Sequence, residues 1–125
     1  MRVLLIGITV ACVSAFAVAS IASAHPSRAA TTCPKVRGPK WSVGALSGSK
    51  YAIVVVGSKF TCKNATPWVK RFIALKMPST AFSQKLKGPV GYRCATNPDK
   101  NRRAVSGNCA KSLSDAFSWS IAPGS

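Results

Sequence analysis

Four cysteines, Cys33, Cys62, Cys94 and Cys109, distributed over a short body, set the tightest limit on what this chain can fold into. The body is short because the start of the sequence reads as a removable leader. Arg2 is followed by an apolar run from Val3 to about Ala22, which ends in Ala22-Ser23-Ala24 just before His25-Pro26. Small residues at the last and third-last positions suit a signal peptidase, so cleavage is expected between Ala24 and His25. The run is also long enough for an uncleaved anchor, but Gly7, Thr9, Ser14 and Ser20 dilute it and its small-residue end favours processing. A lipid-modified Cys12 fits poorly, because the apolar run continues past it.

Taking the 24-residue leader from the 125-residue chain leaves 101 residues, one domain's worth. A domain of that size buries only about 60–65% of its unfolded surface, so covalent bracing matters to it. Loss of Cys12 with the leader makes the cysteine count even, and outside the reducing cytosol an even count reads as two disulfides. A zinc site is the weaker reading, since no C-x-x-C pair is present and the one histidine, His25, would sit at the new terminus. Three pairings are open. Cys94 and Cys109 lie in two strand-like pieces joined by a polar loop, which favours pairing them across a hairpin and leaves Cys33 to tie an N-terminal arm to Cys62.

Residues 25–40 are rich in Pro, Arg and Thr and read as that arm, with the folded domain over 41–125. Trp41-Ser42-Val43 reads as a short strand, and Tyr51-Ala52-Ile53-Val54-Val55-Val56 as the clearest one, apolar on both faces and suited to the centre of a sheet. A helix is expected over 64–76, because Ala65, Trp68, Val69, Phe72 and Ile73 recur at steps of three and four. Pro67 fits such a helix only within its first turn, and Pro78 ends it. Trp68 and Phe72 share the apolar face and read as core. Residues 77–90 read as an irregular connection, Val90 to Ala95 as a strand and 96–107 as an exposed, turn-rich loop. Phe117, Trp119 and Ile121 alternate with Ala116, Ser118 and Ser120, the pattern of a strand with one face buried and one wet. The expected fold is α+β: one helix packed on a small, mostly antiparallel sheet, braced by two disulfides.

These landmarks carry a resemblance. YAIVVV at 51–56, C-K-N-A-x-x-W-V at Cys62 to Val69, GPVGYRC at Gly88 to Cys94, G-N-C at Gly107 to Cys109 and F-S-W at Phe117 to Trp119 resemble a loose group of small exported actinobacterial proteins of unassigned function. The resemblance covers roughly residues 41–121. It implies a secreted domain with one helix and a small sheet, and it carries no catalytic residues.

Chemistry is limited by what the chain lacks. Asp99 and Asp115 are its only carboxylate side chains and His25 its only imidazole, so general acid–base work and charged metal cages have almost no candidates. Hydroxyl nucleophiles without a base partner are unactivated. Glycine-rich phosphate loops are absent, and no cofactor is indicated. A small cationic nuclease or lytic enzyme would have to draw its base from Asp99, Asp115 or His25, and the expectation is a non-enzyme.

Charge points elsewhere. Eighteen Lys and Arg face two carboxylates, and losing Arg2 with the leader leaves a net +15. Such a surface attracts anions within a Debye length of about 8 Å. The densest cluster is Lys100, Arg102 and Arg103, with Arg93 and Lys111 expected near it across the hairpin; Lys63, Lys70 and Arg71 form a second group. The expected partner is an anionic envelope polymer or lipid surface. A protein partner is the alternative, with loop 96–107 inserted in a cleft as in a protease inhibitor. No nucleic-acid signature is present, and the aromatics are needed for the core, which argues against a dedicated nucleic-acid role. No membrane span is expected once the leader is removed.

Overall fold

The computed structural model describes residues 29–124; the expected leader, Cys12 and the Ala24–His25 junction lie outside the described residues. Seven strands and one helix follow in order: β1 Ala30–Thr32, β2 Val36–Val43, β3 Leu46–Val56, α1 Cys62–Ala74, β4 Gln84–Leu86, β5 Arg93–Asn97, β6 Ser106–Ser112 and β7 Asp115–Ile121. They form one antiparallel sheet in the order β1-β3-β7-β6-β5-β4. Strands β1 and β2 share the outer side of β3: β1 pairs with its last residues and β2 with the part from Leu46 to Tyr51. The architecture is the expected α+β one.

The chain leaves β3 through α1, crosses to the far edge as β4, and meanders back until β7 closes against β3. Six consecutive pairs, from Tyr51↔Ile121 to Val56↔Ala116, join these two strands. Because side chains alternate across a sheet, this register puts Tyr51, Ile53, Val55, Phe117 and Trp119 on one buried face, continued by Cys109, Cys94 and Thr96. Helix α1 lies on that face, against β2 and β3, through Ala65, Val69, Phe72 and Ile73. Phe72 stacks on Trp119 at 5.1 Å, and Trp119 Nε1 donates to the Ala104 carbonyl at 2.9 Å. Gly107 lies under the Trp119 ring, where any Cβ would overlap it. Trp68 is only partly buried; its ring meets Phe72 at 5.9 Å and carries the Arg71 guanidinium on its other contact.

The expected N-terminal arm does not begin as an arm. Residues 30–32 and 36–40 belong to the sheet, so the domain starts well before residue 41. Between Arg37 and Trp41 the ladder is interrupted by a bulge. Pro39, which has no N–H to give, is tolerated in such a bulge on an edge strand, and its carbonyl accepts from Tyr51 Oη at 2.9 Å.

The helix also begins earlier than its apolar pattern suggests. Thr61 is the N-cap, so Pro67 falls in the second turn rather than the first. The missing proline N–H leaves the Lys63 carbonyl without its intrahelical donor. The start is fixed instead by Cys62, the first helical residue, whose sulfur is bonded to Cys33.

Both disulfides follow the favoured pairing: Cys33–Cys62 and Cys94–Cys109. The second joins directly opposed residues of β5 and β6. Among the described residues, no helix is long and apolar enough to cross a membrane. With sequence separations of 29 and 15, replacing both cysteines of a pair by serine is expected to lower stability by about 3.5 and about 3 kcal/mol respectively. Denaturant titration of the two double variants checks this, and a cost below about 1 kcal/mol for either pair contradicts it.

Candidate anion-binding surface

The β5–β6 connection, residues 98–105, carries Lys100, Arg102 and Arg103 at one end of the sheet. Its shape is set by a carboxylate. Asp99, only 8% exposed, accepts through Oδ1 from the backbone N–H of Asn101 at 2.9 Å and of Arg103 at 2.8 Å. The backbone repeats the closure: Asp99 N–H donates to the Arg103 carbonyl and Arg102 N–H to the Asp99 carbonyl, both at 2.9 Å. Short polar side chains favour this because they reach amides two and four residues ahead. The loop is then strapped to the end of the helix connection by Met77 N–H donating to the Arg102 carbonyl at 2.8 Å.

Within the loop the three cations differ. Lys100 is exposed, whereas Arg102 and Arg103 are half-buried. Arg102 sits at φ 62, in the left-handed region, and its Nη1 donates to the Pro78 carbonyl at 3.3 Å. The turn-rich loop is thus held by several hydrogen bonds and anchored on a buried acid.

Arg93 and Lys111 do not join this cluster. Arg93 pairs with Ala110, next to Lys111, at the opposite end of the β5–β6 ladder, whereas Asn97 pairs with Ser106 beside the loop. Four strand steps of roughly 3.3 Å separate the two ends before the loop is counted. The expected five-residue patch is therefore two patches, Lys100/Arg102/Arg103 at one end and Arg93/Lys111 at the other. Counting residues from the Cys94↔Cys109 pair outward would have shown this, since both Arg93 and Lys111 lie on the open side of the hairpin.

Asp115 serves the second end. It accepts a hydrogen bond from Tyr92 Oη at 2.5 Å, and the Tyr92 ring sits against Phe60 and Phe117 at 5.0 and 6.1 Å. Asp115 and Oδ1 of Asp99 thus accept from neutral groups of the chain itself, whereas Oδ2 of Asp99 is buried with no hydrogen-bond partner among the described residues. Among the described residues no three His, Cys, Asp or Glu side chains gather as a metal site. Comparison with protein-family models, with curated proteins and with solved structures finds no match.

Burial pushes the Tyr92 phenol above its ordinary value, helped by the Asp115 hydrogen bond and then by its charge. Tyr51 is raised as well, first by burial and then by the charge of Asp99, against an opposing effect of Arg103. The folded chain therefore holds these protons more tightly than the unfolded one. Their stabilising contribution is complete below about pH 10 and is lost as pH rises above it. Tyr92→Phe is expected to lower stability at pH 7 while flattening the alkaline decline, with Tyr51 supplying what remains; melting profiles from pH 7 to 11.5 test this, and an unchanged alkaline slope refutes it.

Asp99→Ala, which removes the acceptor for two loop amides, is expected to cost about 2 kcal/mol or more. Asp99→Asn retains an acceptor oxygen and should cost distinctly less in the same denaturant titration. Equal stability of the alanine variant and the wild type would mean that the loop does not depend on this side chain.

Proposed function

We propose that this protein is an exported, non-catalytic module that docks on phosphate- or sulfate-bearing polymers of the cell envelope, with loop 98–105 as the principal contact. The observation that carries the proposal is a cationic loop anchored on Asp99. A loop already ordered before binding loses less conformational entropy when an anion arrives. Arg102 and Arg103 offer planar guanidinium donors that match phosphate and sulfate oxygens, and Lys100 adds a hydrated point charge. Export is supported by the leader-like N-terminus and by two disulfides in a domain this small. The resemblance to small exported actinobacterial proteins agrees with that compartment.

The absence of chemistry in this reading rests on the residues themselves. Asp99 organises its own loop and Asp115 its own tyrosine. A general base needs an oxygen or nitrogen facing a substrate; Asp115 faces the Tyr92 hydroxyl, and the Asp99 oxygen that has no hydrogen-bond partner, Oδ2, is buried away from solvent.

The inhibitor alternative draws less support from the loop's geometry. A side chain presented to a protease pocket needs an extended, protruding main chain. Here Arg102 has a left-handed backbone, its guanidinium folds back on Pro78, and its carbonyl accepts from Met77.

Retention on immobilised polyphosphate tests the proposal. The wild-type protein is expected to bind at low salt and to be released as ionic strength rises, because exposed charges are screened. Arg102→Glu/Arg103→Glu should weaken binding about tenfold, whereas the charge-matched Lys63→Glu/Lys70→Glu on α1 should weaken it only about twofold. Equal losses in the two variants would reduce the interaction to net charge alone and remove the loop from it.

A further inference from the structure

The end of the sheet opposite the cationic loop presents two almost wholly exposed apolar side chains. Val90, at the tip of the β4–β5 connection, is 99% exposed, and Leu113, at the tip of the β6–β7 turn, is 92% exposed. The two connections are neighbours at the same end, because β5 and β6 lie side by side between them. Strand spacing of about 4.8 Å puts the two tips roughly 10 Å apart. The Lys111 stem runs against Gly91, next to Val90 in the chain. Lys111 and Lys59 line one 670 Å³ hollow together with Ser58, Ser112, Ser114 and Asp115. Lys87, also exposed, leads into the Val90 turn. Asp115, the carboxylate at this end, is held by the Tyr92 hydroxyl.

We infer that this end inserts into an anionic phospholipid bilayer, with Val90 and Leu113 entering the acyl boundary and Lys59, Lys87 and Lys111 meeting the headgroup phosphates. Paired apolar tips with lysines behind them match the layering of a membrane surface, where apolar depth and anionic headgroups are stacked along one normal. A protein partner fits less well, since two thin tips supply far less than the roughly 800 Å² per partner of a stable interface. A second copy would bring the same positive charge to the contact. The inference shares the anion-seeking character of the polymer proposal but uses a different end of the sheet, so the two can fail separately.

Phe82 supplies an internal control. It is 83% exposed but precedes β4, on the side of the sheet away from the Val90 tip, and cannot enter the same plane. The experiment is co-sedimentation of the intact exported protein with vesicles of phosphatidylglycerol and phosphatidylcholine, against pure phosphatidylcholine. The wild type is expected to bind the mixed vesicles and not the pure ones. Val90→Ser/Leu113→Ser should weaken binding at least about tenfold. Lys59→Gln and Lys111→Gln should each weaken it about fivefold. Phe82→Ser should stay within about twofold of wild type. Wild-type affinity in the Val90/Leu113 variant overturns the inference, as do an equal loss in Phe82→Ser, equal binding to both vesicle types, or no vesicle binding at all. Retention on polyphosphate, measured in parallel, is decided independently, so a protein that keeps polymer binding but ignores vesicles rejects this inference alone. Unchanged melting temperatures confirm that the tip variants fold.

Discussion

The pairing of β3 with β7 is the contact on which the rest of the molecule depends. Strand β3 belongs to the first half of the fold and β7 is its last strand, and their six-residue register is the seam between a β1–β2–β3–α1 unit and a β4–β5–β6–β7 meander. Each disulfide falls within one unit: Cys33–Cys62 in the first, Cys94–Cys109 in the second. No disulfide among the described residues crosses the seam. It is held by ladder hydrogen bonds, by Ile53 and Val55 against Trp119 and Phe117, and by Phe72 reaching from the helix to Trp119. The Met77–Arg102 hydrogen bond and the Lys76↔Arg103 bridge add a second link, at the cationic end. A closure between distant parts of the chain must overcome loop entropy before its contacts are gained. The disulfides reduce that cost by constraining each unit separately before the two meet.

The two acidic side chains fall one to each end of this sheet. Asp99 shapes the cationic loop, and Asp115 fixes Tyr92 behind the apolar tips. A carboxylate that accepts from the backbone or from a phenol acts on geometry more than on net charge. Each acid thus holds one end of the sheet in shape, and neither is paired with a lysine or arginine side chain by any of these hydrogen bonds. The Asp99 charge also reaches Tyr51, whose hydroxyl closes the β2 bulge, so the cationic end is coupled electrostatically to the core beneath it.

Much of the interior was legible because burial writes a period into sequence. The alternation at Phe117–Ile121, the β-branched run at 51–56 and the three-and-four spacing of the helix each correspond to a face that meets apolar neighbours. The hairpin that joins Cys94 to Cys109 was legible from two short strand-like pieces and their connecting loop. Edge elements carried no such signal. Strand β1 is Ala-Thr-Thr with every residue exposed, β4 is Gln-Lys-Leu, and the first half of β2 is broken by Gly38-Pro39. Their order comes from ladder hydrogen bonds to β3 and β5, which leave no hydrophobic period. The burial of Asp99 was not legible for a related reason: turn-forming residues mark a loop, but the depth to which one of them is buried depends on strands and a helix connection distant in sequence. The split of the basic cluster is a matter of register, which fixes where charges stand relative to one another even when their presence is plain from composition.

The sources of this domain's stability do not require a surface balanced in acids and bases. Exposed ion pairs contribute only about 0–1 kcal/mol each, so a surface without them forfeits little. Mutual repulsion among cations is screened beyond about 8 Å at physiological salt, and seven strands spread these side chains over both ends, the helix and the sheet edges. What holds the molecule is a one-sided core under a single helix, two disulfides that constrain the unfolded chain, and two acids that accept from within the fold. None of these depends on balancing the surface, which leaves the surface free to be almost wholly cationic. The sign of the charge is then tolerated by the fold instead of being demanded by it.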